Sequence, residues 1–274
     1  MKTILITGAS SGMGKAMAKE LLNGDHKIYV AARRLEKMND LKELGATPLA
    51  MDITDEEDVK RVVNVIDQET EGIDILINNA GFGLYGAVED VPIEKARYQF
   101  DVNLFGLAHL TQFVLPGMRK KGKGKIINIS SMGGEIYTPL GAWYHASKHA
   151  LEAWSDCLRL ELDPFGIDVV IIQPGIIKTE FAEVLVDQIK ETSMNGPYSE
   201  MAQAISKATQ DSYTSDGGSP PELIAKIVKK VVNSDNPKTR YAGGKLAKPL
   251  MWARHLLSDR LFDRLVMSQV KSRS

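Results

Sequence analysis

The stretch Thr7-Gly8-Ala9-Ser10-Ser11-Gly12-Met13-Gly14 decides the fold. It follows the short apolar run Lys2-Thr3-Ile4-Leu5-Ile6 and precedes a segment with the apolar spacing of a helix. Gly8 permits a tight turn, Gly12 lets the backbone approach an anion such as a pyrophosphate, and Gly14 lets helix pack closely on strand. The first turn of the helix adds free N–H groups and positive partial charge. Three glycines alone make only a turn. At a strand-to-helix junction opening an α/β pattern, they make a phosphate-binding turn.

That pattern continues along the chain. Apolar runs at 2–7, 27–32, 47–51, 74–78, 125–130 and 168–173 read as strands buried on both faces, with Arg240-Tyr241-Ala242 as a further short one. Helix-like segments at 13–23, 35–44, 55–71, 93–119 and 142–163 are long enough for right-handed crossovers. The expected architecture is one doubly wound α/β domain over 1–274, a parallel sheet of about seven strands with helices on both faces. Residues 179–220 interrupt the pattern with Ser, Thr, Gln, Asn and Gly. Their apolar start, with Phe181 and Leu185, and the turn-formers Asn195-Gly196-Pro197 and Asp216-Gly217-Gly218 read as a hinged lid. Residues 245–270 place Leu246, Leu250, Leu257, Leu261 and Leu265 at helical spacing, with Arg254, Arg260 and Arg264 between. This predicts an amphipathic C-terminal helix, expected on its own domain or a partner subunit in preference to a membrane surface.

The 274 residues are 43% hydrophobic and 25% charged, enough for a core that needs no metal or disulfide staple. A net charge of −1 gives no field for nucleic acid. One cysteine, Cys157, excludes an intrachain disulfide and fits a reducing, cytoplasmic setting; it is expected to pack as a small hydrophobe. No signal-like leader or membrane-length apolar run is found. His109 and His149 lack ligand-spaced partners, so no metal is expected.

Further motifs follow the glycine turn in order: Asp52 after the third strand, Asn78-Asn79-Ala80-Gly81 after the fourth, Asn103 in Asp101-Val102-Asn103-Leu104, Ser131 after the fifth, Tyr144-His145-Ala146-Ser147-Lys148, and Pro174-Gly175 with Thr179. Together with the G-x-x-x-G-x-G spacing, they resemble the short-chain dehydrogenase/reductase family over nearly the whole chain up to about residue 180. The resemblance implies a Rossmann-type fold and an enzyme moving hydride between a nicotinamide cofactor and a carbonyl or alcohol carbon. It implies Asn103, Ser131, Tyr144 and Lys148 as the catalytic set. It assigns cofactor contacts to Gly8, Ser10, Ser11, Gly12, Met13, Gly14, Arg33, Arg34, Asp52, Ile53, Asn79, Ala80, Gly81, Tyr144, Lys148, Pro174, Gly175, Ile177 and Thr179. Asn103 would anchor a water leading protons away from Lys148, and Asp52 would bind the adenine amino group. For Asp52 a cap ahead of Thr54-Asp55 is the alternative.

The residues make chemical sense in these roles. Tyr144 and Lys148 are four apart and share a helix face. A phenol titrates near about 10, and a neighbouring cation lowers that value toward useful acid–base work. Ser131 stands at the carboxyl end of the sheet, where such folds bind ligands, to hydrogen-bond the substrate oxygen. Strand alternation would point Ser130 the other way. His145, next to Tyr144, should lie about 100° around the helix and off its face.

The second strand ends Tyr29-Val30-Ala31-Ala32-Arg33-Arg34, without the carboxylate that binds a ribose 2′-hydroxyl. Arginine there pairs with a 2′-phosphate, so NADP(H) is the expected cofactor. Ser11 departs from the basic residue that many NADP-selective members carry before the second motif glycine. Ser131, Met132, Tyr137, Trp143, Tyr144, Ile176, Phe181 and Leu185 are the candidate substrate contacts, and their apolar balance predicts a bulky apolar carbonyl or alcohol. The surroundings look most like the hydroxysteroid- and retinol-dehydrogenase-like branch, usually homodimers or homotetramers through the paired helices 93–119 and 142–163. The competing readings are an NADP-sensing regulator without turnover, which would lack the tyrosine or lysine, and a sugar-nucleotide epimerase or dehydratase, which carries a larger second domain.

Overall fold

Alternation along the central strands divides the core in two. Ile4, Ile6, Ile28, Val30, Ile75 and Ile77 face one side of the sheet, while Leu5, Tyr29, Ala31 and Leu76 face the other, all buried. The structure, a computed structural model, describes residues 1–213 and 217–271. Its strands are β1 (Lys2–Thr7), β2 (His26–Ala32), β3 (Thr47–Ala50), β4 (Ile75–Asn78), β5 (Gly124–Ile129), β6 (Ile167–Pro174) and β7 (Arg240–Gly243). They form one parallel seven-stranded sheet in the order β3-β2-β1-β4-β5-β6-β7. The helices are α1 (Gly12–Leu22), α2 (Asn39–Glu43), α3 (Glu56–Glu69), α4 (Ile93–Phe100), α5 (Leu107–Lys121), α6 (Ala142–Leu162), α7 (Phe181–Ser193), α8 (Ser199–Tyr213), α9 (Pro221–Asn233), α10 (Ala247–Leu256) and α11 (Asp259–Lys271). Apolar stripes of α1 and α9 cover the first face (Met17 and Leu21, Ile224 and Val228), and those of α3, α5 and α6 cover the second. The doubly wound architecture is the expected one.

Three helical segments differ from expectation. The segment 35–44 is a 3-10 turn over Leu35–Met38 followed by the short α2. The segment 93–119 is α4 and α5 joined by a π-helical stretch, Asp101–Gly106, which holds Asn103. Gly106 there lies so close to the Ile53 carbonyl that a Cβ would sit 2.5 Å from it. The single helix expected over 245–270 is two helices. Leu257 is extended, and the Ser258 carbonyl accepts from Leu261 and Phe262 to start α11. Cys157 is exposed and not packed inward, because the buried stripe of α6 runs through Leu151, Ser155, Leu158 and Leu162.

The excursion after β6 becomes α7 and α8, with its two ends pinned together. Ser219 N donates to the Ile176 carbonyl at 2.9 Å and Lys178 N to the Ser219 carbonyl at 2.8 Å. Of the expected hinge residues, Gly217 and Gly218 adjoin this clasp, and Asp216 lies outside the described residues. No helix among the described residues is long and apolar enough to cross a membrane.

Candidate active site

The strand order reverses between β1 and β4, so the loops leaving their carboxyl ends diverge and open a crevice. Polar side chains hold its floor. Thr7 Oγ1 accepts from the backbone N–H of Asn79 and of Ala80, each at 3.0 Å. Asn79 Nδ2 donates to the carbonyls of Thr7 (2.9 Å) and Gly8 (3.2 Å). The glycine turn is therefore tied to the end of β4. A Cβ on Gly14 would lie 2.3 Å from the Gly8 oxygen, so only glycine fits that packing. Ser11 precedes α1 without capping it through its side chain, which leaves the helix N-terminus facing the crevice.

One cavity of about 950 Å³ runs from this turn across the carboxyl end of the sheet. Its lining includes Gly8, Ser10, Ser11, Gly12, Met13, Arg33, Arg34, Asp52, Ile53, Asn79, Ala80 and Gly81 at one end. Ser131, Met132, Tyr144, Pro174, Gly175, Ile176, Ile177, Thr179, Phe181 and Leu185 line the rest. Gly14, Asn103, Lys148, Tyr137 and Trp143 lie outside the lining. Gly14 stands behind the turn. Tyr137 is edge-on to Phe262 at 5.2 Å and donates to Asp263, and Trp143 packs on Leu84, Val91 and Ala96. Neither aromatic reaches the cavity. Ser130 does border it, because β5 ends at Ile129 and the alternation ends with it. Asp52 Oδ1 accepts from both the N–H and the hydroxyl of Thr54, so the local turn uses one of its oxygens.

The catalytic candidates converge on α6. Lys148 Nζ donates to the Ile129 carbonyl at 3.0 Å and lies 3.8 Å from where a Cβ on Gly81 would stand. Asn103 accepts from Phe82 N at 3.0 Å and donates to Phe82 O (2.9 Å) and Ser147 Oγ (3.1 Å), tying the loop after β4 to α6. Ser131 Oγ accepts from Gly133 N, which fixes the hydroxyl at the start of its 3-10 turn. The Tyr144 ring sits between Tyr85 (5.9 Å) and Phe181 (5.6 Å).

Burial pushes the Tyr144 phenol above its ordinary value, against the Ser131 hydroxyl, and draws Lys148 down to about 8. The lowering of Tyr144 expected from Lys148 is therefore absent from the protein's own groups. The ammonium is itself desolvated and bonded to Ile129, and the phenol is enclosed by aromatic rings.

His145 does not lie clear of Tyr144 as expected: the two rings meet edge-on with centroids 5.6 Å apart, and both border the cavity. His145 Nδ1 meets the Gly133 carbonyl at 3.0 Å, and Thr138 N donates to its Nε2 at 3.1 Å. The ring thus clamps both ends of the loop that carries Ser131. Sequence reading also missed the far wall of the cavity, which includes Tyr85, Ile205, Tyr213, Leu246, Leu250, Phe262 and Leu265. The leucine spacing in 245–270 was the one available signal.

Comparison with known proteins matches residues 2–190 to the family model described as short chain dehydrogenase. A 3-ketodihydrosphingosine reductase of Bacteroides thetaiotaomicron is 36% identical over 90% of this chain and 89% of its own. An NADPH-dependent 3-dehydrocapnine reductase of Ornithobacterium rhinotracheale is 33% identical over 99% of this chain and 98% of its own. The solved short-chain dehydrogenase of Streptomyces avermitilis superposes with a TM-score of 0.79 at 30% identity, covering 99% of this chain and 97% of that one.

Burial draws His145 down to about 4, so it stays neutral in the folded chain while an unfolded chain would protonate it near about 6.5. Between those values the unfolded state binds the extra proton, so stability falls as pH falls from about 6.5 toward 4, by roughly 3 kcal/mol at most. Thermal melts across that range should show the loss, and His145→Gln should flatten the slope while lowering stability at pH 7. Parallel slopes in the two proteins would contradict it.

Proposed function

The chain belongs to the short-chain dehydrogenase family and is a nicotinamide-dependent oxidoreductase of CH–OH and C=O groups, and we propose that it uses NADP(H) and acts on a bulky, apolar carbonyl or alcohol. The observation that carries this reading is the single cavity that links Arg33 and the glycine turn, past Tyr144, to an apolar wall.

The cradle fits the cofactor: Gly8 and Gly12 line the cleft without side chains, Gly14 packs behind them where a Cβ would strike the Gly8 oxygen, and a Cβ on Gly12 would stand 3.2 Å from Thr179. When bound there, a nicotinamide supplies or accepts hydride. Arg33 and Arg34 border the cleft, with no carboxylate among residues 29–34, and Arg33 Nη1 is steadied by the Tyr98 hydroxyl at 3.1 Å. A fork-shaped cation suits a 2′-phosphate. The relative named as NADPH-dependent supports the same choice.

Tyr144 Oη is assigned to donate the proton to the substrate oxygen in reduction and to take it back in oxidation. Burial keeps it protonated, so the resting residue is a proton donor. Ser131 Oγ hydrogen-bonds the same oxygen. Lys148 orients ribose hydroxyls and adds positive charge beside the ring. Asn103 holds the Phe82 loop against α6 and anchors a water that carries protons outward. Phe181, Leu185, Ile205, Leu250 and Phe262 accept the apolar body of the substrate. That wall supports placement near the hydroxysteroid- and retinol-dehydrogenase-like branch, and both reductase relatives support carbonyl reduction. Exposed Phe105 and Leu160, on the π-helical stretch and α6, support a homodimer or homotetramer, and the lone cysteine supports a cytoplasmic setting.

Tyr144→Phe should lower kcat by roughly 10²–10⁴-fold with bulky apolar ketones while cofactor affinity, read by fluorescence titration, holds. Near-normal turnover would overturn the assignment.

Arg33→Asp should cost more than about tenfold in kcat/KM with NADPH and raise it with NADH. A wild-type preference for NADH would refute the cofactor reading.

The helices α7 and α8 are assigned as a lid over the substrate, closing from the clasp at Ile176, Lys178 and Ser219. Amide hydrogen exchange should be fast in residues 181–213 of the free protein and slow once cofactor and product are bound. Equal protection in both states would leave a static wall.

A further inference from the structure

Large apolar side chains on α10 and α11 face outward as well as inward. Leu250, Phe262, Leu265 and Val266 line the cavity on the inner side. On the outer side Trp252 is 72% exposed, Leu256 79% and Leu261 47%. Trp252 and Leu256 are four apart and share one helix face. The other tryptophans, Trp143 and Trp154, are half-buried. Tryptophan rarely stands this open on a soluble surface, and an apolar patch of this kind rimmed by charge marks an interaction site.

The rim is basic. Lys248 lies one turn before Trp252, and Arg260 and Arg264 flank Leu261, all exposed. Both carboxylates of the two helices are engaged within the protein, Asp259 with Arg254 at 2.9 Å and Asp263 with the Tyr137 hydroxyl at 2.9 Å. The face therefore presents apolar side chains beside three exposed cations, with the two carboxylates of these helices held by Arg254 and Tyr137.

We propose that this outer face of α10 and α11 is a docking surface for an anionic lipid bilayer. Trp252, Leu256 and Leu261 enter the headgroup boundary while Lys248, Arg260 and Arg264 meet lipid phosphates. A second copy of the chain fits the face poorly. A two-fold contact would bring the same three cations against themselves, with only Asp259 and Asp263, one of them already paired with Arg254, to offset them. One layer of helix separates this surface from the apolar end of the cavity, so a docked chain holds its substrate wall beside the bilayer. The docking itself does not depend on which carbonyl the enzyme reduces.

Flotation of the full-length protein with phosphatidylcholine vesicles, with and without phosphatidylglycerol, tests the proposal. The protein should bind the anionic vesicles about tenfold or more tightly than the neutral ones, with blue-shifted tryptophan emission that Trp252→Phe abolishes. Trp252→Ser combined with Leu256→Ser should cut that binding about tenfold or more and leave turnover of a small water-soluble ketone unchanged, since neither residue lines the cavity. Lys248→Glu combined with Arg260→Glu alters exposed charges alone and should remove the preference for anionic lipid, which keeps the test open if the first variant folds poorly. Failure of the wild type to bind either vesicle, or undiminished binding by both variants, overturns the proposal. A smaller assembly for the Trp252/Leu256 variant in lipid-free sedimentation also overturns it and makes the face a contact between copies.

Discussion

The hydrogen bonds that join the ends of β1 and β4 are the contact around which the molecule is arranged. Thr7 and Asn79 satisfy each other's backbone groups where the strand order reverses, the one place in the sheet where neighbouring connections part and leave a crevice. Loss of either side chain would leave buried N–H or C=O groups unpaired and loosen the turn that carries Gly8 and Gly14. A second polar chain carries the alignment sideways. Asn78 Nδ2 donates to Asn128 Oδ1 at 2.9 Å and Asn128 Nδ2 to Ser155 Oγ at 2.9 Å, linking β4 to β5 and β5 to α6. Ser131 follows β5 and Tyr144 rides on α6, so the glycine turn, Ser131 and Tyr144 share one buried polar framework.

Desolvation is the tension in this arrangement. Tyr144, Lys148, Asn103 and Ser147 are buried, with each amide, hydroxyl or ammonium given a protein partner or facing the cavity. The enclosure that lifts Tyr144 and depresses Lys148 also strengthens the interaction of either group with a charge placed beside it, because burial lowers the local dielectric.

Much of this was legible in the sequence, for definite reasons. Buried parallel strands leave uninterrupted apolar runs, and a tightly packed turn leaves glycines at fixed spacing, so the sheet and the strand-to-helix turn could be read directly. Tyr144 and Lys148 were legible as a motif at helical spacing on α6, but only the fold shows that the phenol borders the cavity while the ammonium bonds the Ile129 carbonyl behind it. Trp143 was misjudged on adjacency: one step along a helix is a turn of about 100°, and it faces Leu84 and Val91 instead of the cavity. The π-helical stretch around Asn103 has no sequence signature that separates it from the helices on either side. The break between α10 and α11 did have one, since Ser258-Asp259 is a helix-start pair inside the leucine periodicity, and the periodicity masked it. Tyr85, Tyr213 and Phe262 meet only through the packing of distant segments, and no local pattern could have joined them.

The origin of the cavity's far wall has one more consequence. The family match ends at residue 190, yet Ile205, Tyr213, Leu246, Leu250, Phe262 and Leu265 come after it, on α8, α10 and α11 and, for Leu246, at the residue that precedes α10. The cavity wall is therefore drawn from both stretches, Tyr85, Phe181 and Leu185 before the match ends and the others after it. Changes after residue 190 can reshape that wall while leaving the sheet and the glycine turn intact. Such changes have one boundary. Tyr144 shares a packed cluster with Leu185, Ile205 and Val270, so every new wall must still close against that ring.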